Sequence, residues 1–172
     1  IYTIMARPIS RASFIMGKYL GLALTLFVNM AIMWAVFLLT LWLYHVSIQP
    51  SIFQAVALIF VEILVVTAIA LFFSTFTSTT LSAIFTLGLY VIGHLTADLR
   101  AMVANSDSGR IKSLVDLLYY LCPNLEMLNI KGQAAVGVVA APEYVMLASL
   151  YGVMYAGVLL ISACVVFQQR DF

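Results

Sequence analysis

Charged residues are scarce in this sequence. Only 9% of its 172 residues are Asp, Glu, Lys or Arg, whereas about a quarter is usual in soluble domains. Hydrophobic residues make up 65% of the chain, and the mean hydropathy is +1.12. This composition excludes an ordinary soluble domain and indicates an integral membrane protein.

Several chemical signatures are also absent from the sequence. It contains no GxxxxGK[ST] phosphate loop, no HExxH and no GxSxG. Cys122 and Cys164 have neither metal-ligand nor redox spacing, and we expect no disulfide between them. Met, His and Cys form no cluster that suits copper or zinc. We therefore expect no catalytic activity, no metal and no cofactor in this chain, and the composition gives no support to nucleic-acid binding.

Four apolar runs are long enough to cross a membrane, which takes about 20 helical residues. They are residues 19–44, 52–73, 81–97 and 145–167. Backbone groups in a bilayer must be satisfied within the protein, and none of these runs alternates as a barrel strand would. The predicted fold is therefore all-α, a polytopic transmembrane helical bundle.

Residues 98–142 form a connection that is long enough to hold structure of its own. Its first part has apolar residues at helical spacing, namely Ile111, Leu114, Val115, Leu118 and Leu121. Asn124 is a candidate N-cap for a second short helix. We expect both helices to be amphipathic and to lie at the membrane face. The apolar tract 132–142 is too short to cross and is predicted to be a connector or a shallowly inserted loop.

Four spans place both chain ends on one side of the membrane. Cytoplasmic loops are usually rich in Lys and Arg, but here these residues divide evenly. The terminal segments have Arg7, Arg11, Lys18 and Arg170, and the connection has Arg100, Arg110, Lys112 and Lys131. Because the terminal charges lie closer to the spans, the pattern slightly favours cytoplasmic ends.

A basic segment at residues 7–18 precedes the first apolar run. Wound as a helix, it places Arg7, Arg11, Phe14 and Lys18 on one face, with Ile9, Ala12 and Met16 opposite. One interpretation is an interfacial helix whose cations meet lipid phosphates. The other is docking into a groove of a soluble protein, because Phe14 lies among the charges rather than on the apolar side.

Glu62 falls at the middle of the second predicted span, where an ionisable residue suggests a functional role. One interpretation is structural: a protonated Glu62 that is hydrogen-bonded through Asn29, Thr67 or Ser82. The other is a polar element of a substrate path, or a proton site with His94 as a distant partner. The sequence leaves both open.

The chain resembles the ABC-2 type ABC transporter permeases, and most closely the NosY-like group. ARPISRASFIMGKYLG is similar to the cytoplasmic segment before the third span of that family, and ALFFSTFTSTTLSAIFTLGLYVIGHL to its turn between the fourth and fifth spans. YYLCPNLEMLNI resembles the external helical segment, and VVFQQRDF the cytoplasmic end. Practically the whole chain is covered.

The resemblance implies an ABC-2 / type V exporter-like half-transporter of six spans. This chain would supply the last four, with the first two upstream of Ile1. The basic segment would be the coupling helix, in which Gly17 and Lys18 lead to the membrane. Its contacts with the ATPase subunit would come from Arg7, Pro8, Ile9, Ser10, Arg11, Phe14 and Lys18.

The same resemblance implies the partners and the location. The partners would be an ABC ATPase subunit that binds ATP and Mg²⁺, a second permease copy or related half, and membrane lipid. The chain would export a substrate across the bacterial inner membrane, with both ends cytoplasmic and residues 98–142 outside. The residues themselves leave two alternatives open: a proton-coupled secondary transporter that uses Glu62 and His94, and a membrane anchor or assembly subunit that transports nothing.

Overall fold

The computed structural model describes residues 11–103, 113, 115–117 and 122–168, which contain helices and no strand. The elements are α1 (Arg11–Leu43), α2 (Pro50–Ser74), α3 (Thr79–Val103), a 3₁₀ helix (Leu125–Leu128), α4 (Lys131–Ala135) and α5 (Pro142–Gln168). Four of them, α1, α2, α3 and α5, are long and apolar enough to cross a membrane. The protein is thus an all-α, multi-pass membrane protein.

The reversal between α1 and α2 is set by local signals. His45 adopts a left-handed φ of 53°. The N–H of Val46 donates to the Leu41 carbonyl at 3.0 Å, and that of His45 to the Trp42 carbonyl at 3.2 Å. This pair of bonds is the Schellman ending of a helix. Pro50 then begins α2, where its missing N–H costs no helical hydrogen bond.

The central helix of the bundle is α2, which packs against the other four helices and the 3₁₀ helix. Its buried residues recur three or four positions apart, as expected for one helix face. They are Ser51, Ala55, Leu58, Glu62, Val65, Ala68, Ile69 and Leu71. Glu62 therefore belongs to the buried stripe of the helix on which the whole fold is built.

The first and last helices meet where α1 begins and α5 ends. The rings of Phe14 and Phe167 stack there, with centroids 6.2 Å apart. We call this end of the bundle the terminal side, and the end at which α2 and α5 begin the connection side. Both cysteines are free thiols, Cys122 buried and Cys164 partly buried.

The described end of the connection packs into the helical bundle, whereas its position relative to the membrane face stays a prediction. Leu125, Leu128 and Ile130 are buried within the bundle, and the 3₁₀ helix contacts α2, α3 and α5. Asn124 occupies the N-cap position, but its side chain makes no capping hydrogen bond. The other predicted helix falls mostly outside the described residues. We call residues 122–141 the re-entrant segment.

Small residues let the re-entrant segment approach the long helices. Gly93 of α3 faces the Pro123 carbonyl, and Gly152 of α5 faces Val61 and Leu128. Val61 is about 16 Å along α2 from Pro50, at roughly 1.5 Å per residue. Irregular backbone is tolerated at such depth only where protein surrounds it. Tight packing against α3 and α5 therefore makes the insertion possible.

Two helices run further than the predicted spans. There is no break at Gly17 or Lys18, so the described part of the basic segment is the first turns of α1 rather than a separate helix. Helix α3 continues past residue 97 to Val103. The helices thus project beyond the apolar runs that the sequence delimits.

Candidate functional site

Three charged or polar side chains from three elements meet at the middle of α2. Glu62 is only 4% exposed. Its Oε2 accepts a hydrogen bond from Lys131 Nζ of α4 at 3.2 Å. Its Oε1 lies 3.3 Å from His94 Nε2 of α3. We call these three residues the Glu62 cluster.

His94 reaches Glu62 because α2 and α3 pair as an antiparallel hairpin. Near the turn, Ser82 Oγ donates to the Ala70 carbonyl at 3.0 Å, and the rings of Phe73 and Phe85 lie 5.4 Å apart. Further along α3, the imidazole Nδ1 is 3.2 Å from the Tyr90 carbonyl one turn earlier. The contact of Nε2 with Glu62 is not aligned as a hydrogen bond and is therefore an electrostatic pairing.

Lys131 reaches Glu62 because α4 is fastened to the first turns of α2. Ser51 Oγ donates to the Ala134 carbonyl at 3.5 Å, and the amide group of Gln54 pairs with the backbone of Ala140. Gly137, with a φ of +76°, ends α4 so that the chain can turn back toward α5. From α4, the Lys131 side chain points toward the centre of α2.

The Glu62 cluster is energetically demanding. Moving a carboxylate such as that of Glu62 out of water costs several kcal/mol, which a nearby cation offsets only with good geometry. The Lys131 side chain is 47% exposed, so the buried member of the pair is Glu62. Removing Lys131 leaves this carboxylate without its cation, which costs up to about 3–5 kcal/mol. The hydrogen bond from Lys131 to Glu62 thus links the re-entrant segment to α2.

Two adjoining cavities open beside the cluster. The smaller, of about 390 Å³, is lined by the cluster residues Glu62 and Lys131 together with Leu26, Ile59, Ile63, Val66, Thr67 and Tyr90. The larger, of about 720 Å³, lies between α1 and α2 and is almost entirely apolar. Leu26, Ile59, Ile63 and Lys131 line both. Together the cavities form one open groove, the α1–α2 groove.

Of the predicted intramembrane residues, the structure brings Glu62 and His94 together but leaves Asn29 apart. Asn29 lines the larger cavity, and no hydrogen bond or ion pair joins it to Glu62 in the described structure. Thr67 Oγ1 donates to its own helix, at the Ile63 carbonyl. Ser82 also bonds elsewhere, to the Ala70 carbonyl. None of the three predicted hydrogen-bond partners therefore holds Glu62.

Lys131 is the cluster member that sequence reasoning missed. One signal pointed to it, since it is a lone cation between two apolar tracts, LEMLNI and GQAAVGVVAA. A cation there is hard to explain in a shallow loop without a partner. The partner is 69 positions away in the chain, and no local pattern indicates a contact of that range.

Most of the predicted coupling helix falls outside the described residues, namely Arg7, Pro8, Ile9, Ser10 and the side chain of Arg11. Phe14 and Lys18 are described, and both are exposed. The face that α1 buries here has Ile15 and Tyr19, and the Tyr19 hydroxyl donates to the Leu64 carbonyl at 3.3 Å. Met16, which was expected opposite the basic face, is exposed.

The described residues include no group of three or more His, Cys, Asp or Glu that could hold a metal ion. The Glu62 cluster offers one carboxylate and one imidazole, with an ammonium beside them.

The fold and the cluster define a multi-pass helical membrane protein with an ionisable centre inside the bundle. A family model described as "Protein of unknown function (DUF2705)" matches residues 1–172, and the chain belongs to that family. No curated protein and no solved structure matches the chain.

Proposed function

We propose that the chain is the membrane-spanning subunit of an ATP-binding cassette transporter, which exports its substrate with energy from ATP hydrolysis by a separate subunit. The resemblance of its segments to ABC-2 permeases suggests this class. In this proposal the terminal side faces the cytoplasm of a bacterial cell. A second permease copy or a related half completes the transporter.

The observation that carries the proposal is the continuity of α1. This helix runs unbroken from Arg11 to Leu43 and contributes one wall of the α1–α2 groove. The rest of the chain leaves most of the α1 surface exposed. The most apolar stretch of α1 has no buried residue. A push on its basic beginning would therefore move the groove wall as a rigid lever, which is a common form of domain motion.

The stacking of Phe14 on Phe167 adds a second mechanical element. It ties the beginning of α1 to the end of α5, so that both described ends of the chain lie on the terminal side. An ATPase subunit docked there would act on the first and last spans together. Because Phe14 has this internal partner, Phe14→Ala would disturb the fold as well as any docking, and charge reversal is the cleaner test.

The test is to co-express the chain with a P-loop ATPase encoded beside it and to measure ATP hydrolysis in proteoliposomes. The double variant Arg11→Glu/Lys18→Glu should reduce co-purification and stimulated hydrolysis at least tenfold, about 1.4 kcal/mol of coupling. The matched control, Arg110→Glu/Lys112→Glu, reverses two cations of the connection and should leave both unchanged. Equal activities of the two double variants would contradict the docking role.

A proton-coupled transporter is the second candidate, and the pairing of Glu62 with His94 favours it. This mechanism predicts acidification of dye-loaded vesicles by an imposed pH gradient without ATP, and its loss in Glu62→Gln. The ATP-driven mechanism predicts no such leak. Co-purification with an ATPase, but with neither proton flux nor ATP-dependent transport, would instead favour a membrane anchor or assembly subunit.

A further inference from the structure

His94 is the second basic side chain beside the Glu62 carboxylate. Its Nδ1 is 3.2 Å from the Tyr90 carbonyl, and its Nε2 lies 3.3 Å from Glu62 Oε1. The single carboxylate of the cluster thus lies between two basic groups, His94 and Lys131.

With Lys131, the cluster has two basic side chains and one acidic side chain. The Lys131 ammonium has three donors, and one of them is bonded to Glu62. The side chain is 47% exposed and lines both cavities. Glu126, the nearest acidic residue in the re-entrant segment, accepts instead from Asn129 Nδ2 at 3.1 Å. A cation in apolar surroundings is costly unless it is paired, and this one faces a cavity with donors to spare.

The apolar part of the groove begins at the same lysine. From Lys131 the larger cavity extends between α1 and α2 along Met30, Met33, Trp34 and Phe37. Met33 is 73% exposed, so the groove opens to the outer surface of the described chain. Its volume of about 720 Å³ lies within the range of roughly 300–1,000 Å³ that is usual for ligand pockets. One continuous space thus joins a positive charge to an apolar channel.

We propose that the α1–α2 groove binds a membrane-soluble amphipath with one alkyl chain and a single anionic head, a carboxylate or a phosphate. The head accepts hydrogen bonds from Lys131 in the smaller cavity, where charge-assisted bonds are strong. The chain lies along Trp34. Binding requires no ATPase, but the identification of this amphipath as the exported substrate rests on the proposed function.

Trp34 provides a reporter inside the groove. The sequence has two tryptophans, so Trp42→Phe leaves Trp34 alone. The purified protein is placed in phosphatidylcholine nanodiscs and titrated with 9,10-dibromostearate or with 9,10-dibromostearyl alcohol, whose bromines quench tryptophan on contact. We expect the carboxylate to reach half-maximal quenching at a concentration at least tenfold lower than the uncharged alcohol.

Two variants test the role of Lys131. Lys131→Met should abolish the preference for the carboxylate, whereas Lys18→Met, which removes an exposed lysine on the terminal side, should retain it. Lys131→Met leaves the buried Glu62 carboxylate without its lysine, which destabilises the fold. The double variant Glu62→Gln/Lys131→Met removes both charges. Its Trp34 should also be quenched equally by the two probes. Equal quenching in the Trp42→Phe parent, or a preference that survives the loss of Lys131, would overturn the proposal.

Three further outcomes identify the source of the ligand and test whether the site has a role in the proposed function. Dibrominated phosphatidylglycerol that quenches as strongly as the free carboxylate, in a Lys131-dependent way, would overturn the single-chain ligand in favour of a bilayer lipid. If quenching is selective but the protein couples to no ATPase, the binding site stands and its role in export is overturned. Normal ATPase coupling without selective quenching would overturn the site and leave the proposed function standing.

Discussion

The side chain of Gln54 holds the backbone of Ala140 by both ends of its amide. Nε2 donates to the Ala140 carbonyl at 3.0 Å, and Oε1 accepts from the Ala140 N–H at 3.0 Å. The two residues are 86 positions apart. One side chain thereby satisfies both backbone groups of a residue in an irregular part of the re-entrant segment, where an unpaired group would be costly.

Gln54→Leu should therefore destabilise the protein by about 1–3 kcal/mol for each backbone group that loses its partner without access to water. Gln54→Glu should also destabilise the protein, because a carboxylate can accept from the Ala140 N–H but cannot donate to the Ala140 carbonyl. Thermal unfolding in detergent measures both. Gln133→Leu is the matched control, since Gln133 is exposed and its loss should change little. An Ala140 amide that exchanges equally slowly in wild type and Gln54→Leu would contradict this account.

The Glu62 cluster predicts an asymmetry between single and double variants. Lys131→Met leaves a buried carboxylate without its cation and should cost up to about 3–5 kcal/mol. Glu62→Gln removes the charge that must be balanced and should cost less. The double variant Glu62→Gln/Lys131→Met should recover most of the loss from Lys131→Met. A strictly additive cycle in thermal unfolding would indicate that the two side chains do not interact.

Gly93 should tolerate no side chain. A methyl group there would come within 2.7 Å of the Pro123 carbonyl oxygen, a backbone atom that cannot turn away. Gly93→Ala should therefore cost about 1–3 kcal/mol as an overpacked position. Gly88→Ala, on the same helix with nothing within 4 Å, should be neutral or slightly stabilising. Equal melting temperatures for the two variants would show that the re-entrant segment does not lie against α3.

Burial raises the pKa of the Cys122 thiol. A raised pKa leaves less thiolate at a given pH, so alkylation should be slow at pH 8 and should accelerate only at higher pH than for an exposed cysteine. The measurement uses Cys164→Ser, so that Cys122 is the single thiol. The reference is Ser113→Cys, an exposed position, in a background without the native cysteines. Coinciding pH profiles for the two thiols would contradict the burial of Cys122.

The four long helices were predictable because their length and apolarity are local properties. Pro50 at the start of α2 is likewise a local signal. The depth of Glu62 followed from its position within an apolar run, and the structure places it in the buried stripe of α2. Short stretches of sequence therefore suffice to predict the four long helices.

The re-entrant segment was not predictable for the opposite reason. Leu125 and Leu128 fill space between α2, α3 and α5, and their spacing is equally suited to a helix lying on a lipid surface. The contact between Lys131 and Glu62 depends on how the loop folds back, which no neighbouring residue specifies.

The re-entrant segment has a consequence for the order of assembly during synthesis. Its backbone cannot enter bare lipid. The surface against which it packs is completed by α5, which is the last of these helices to be synthesised. Residues 122–141 can therefore complete their packing only after α5 has been made. A chain arrested before Gly152 would leave Glu62 without its lysine, and would present a half-built protein to the quality-control proteases of the cell.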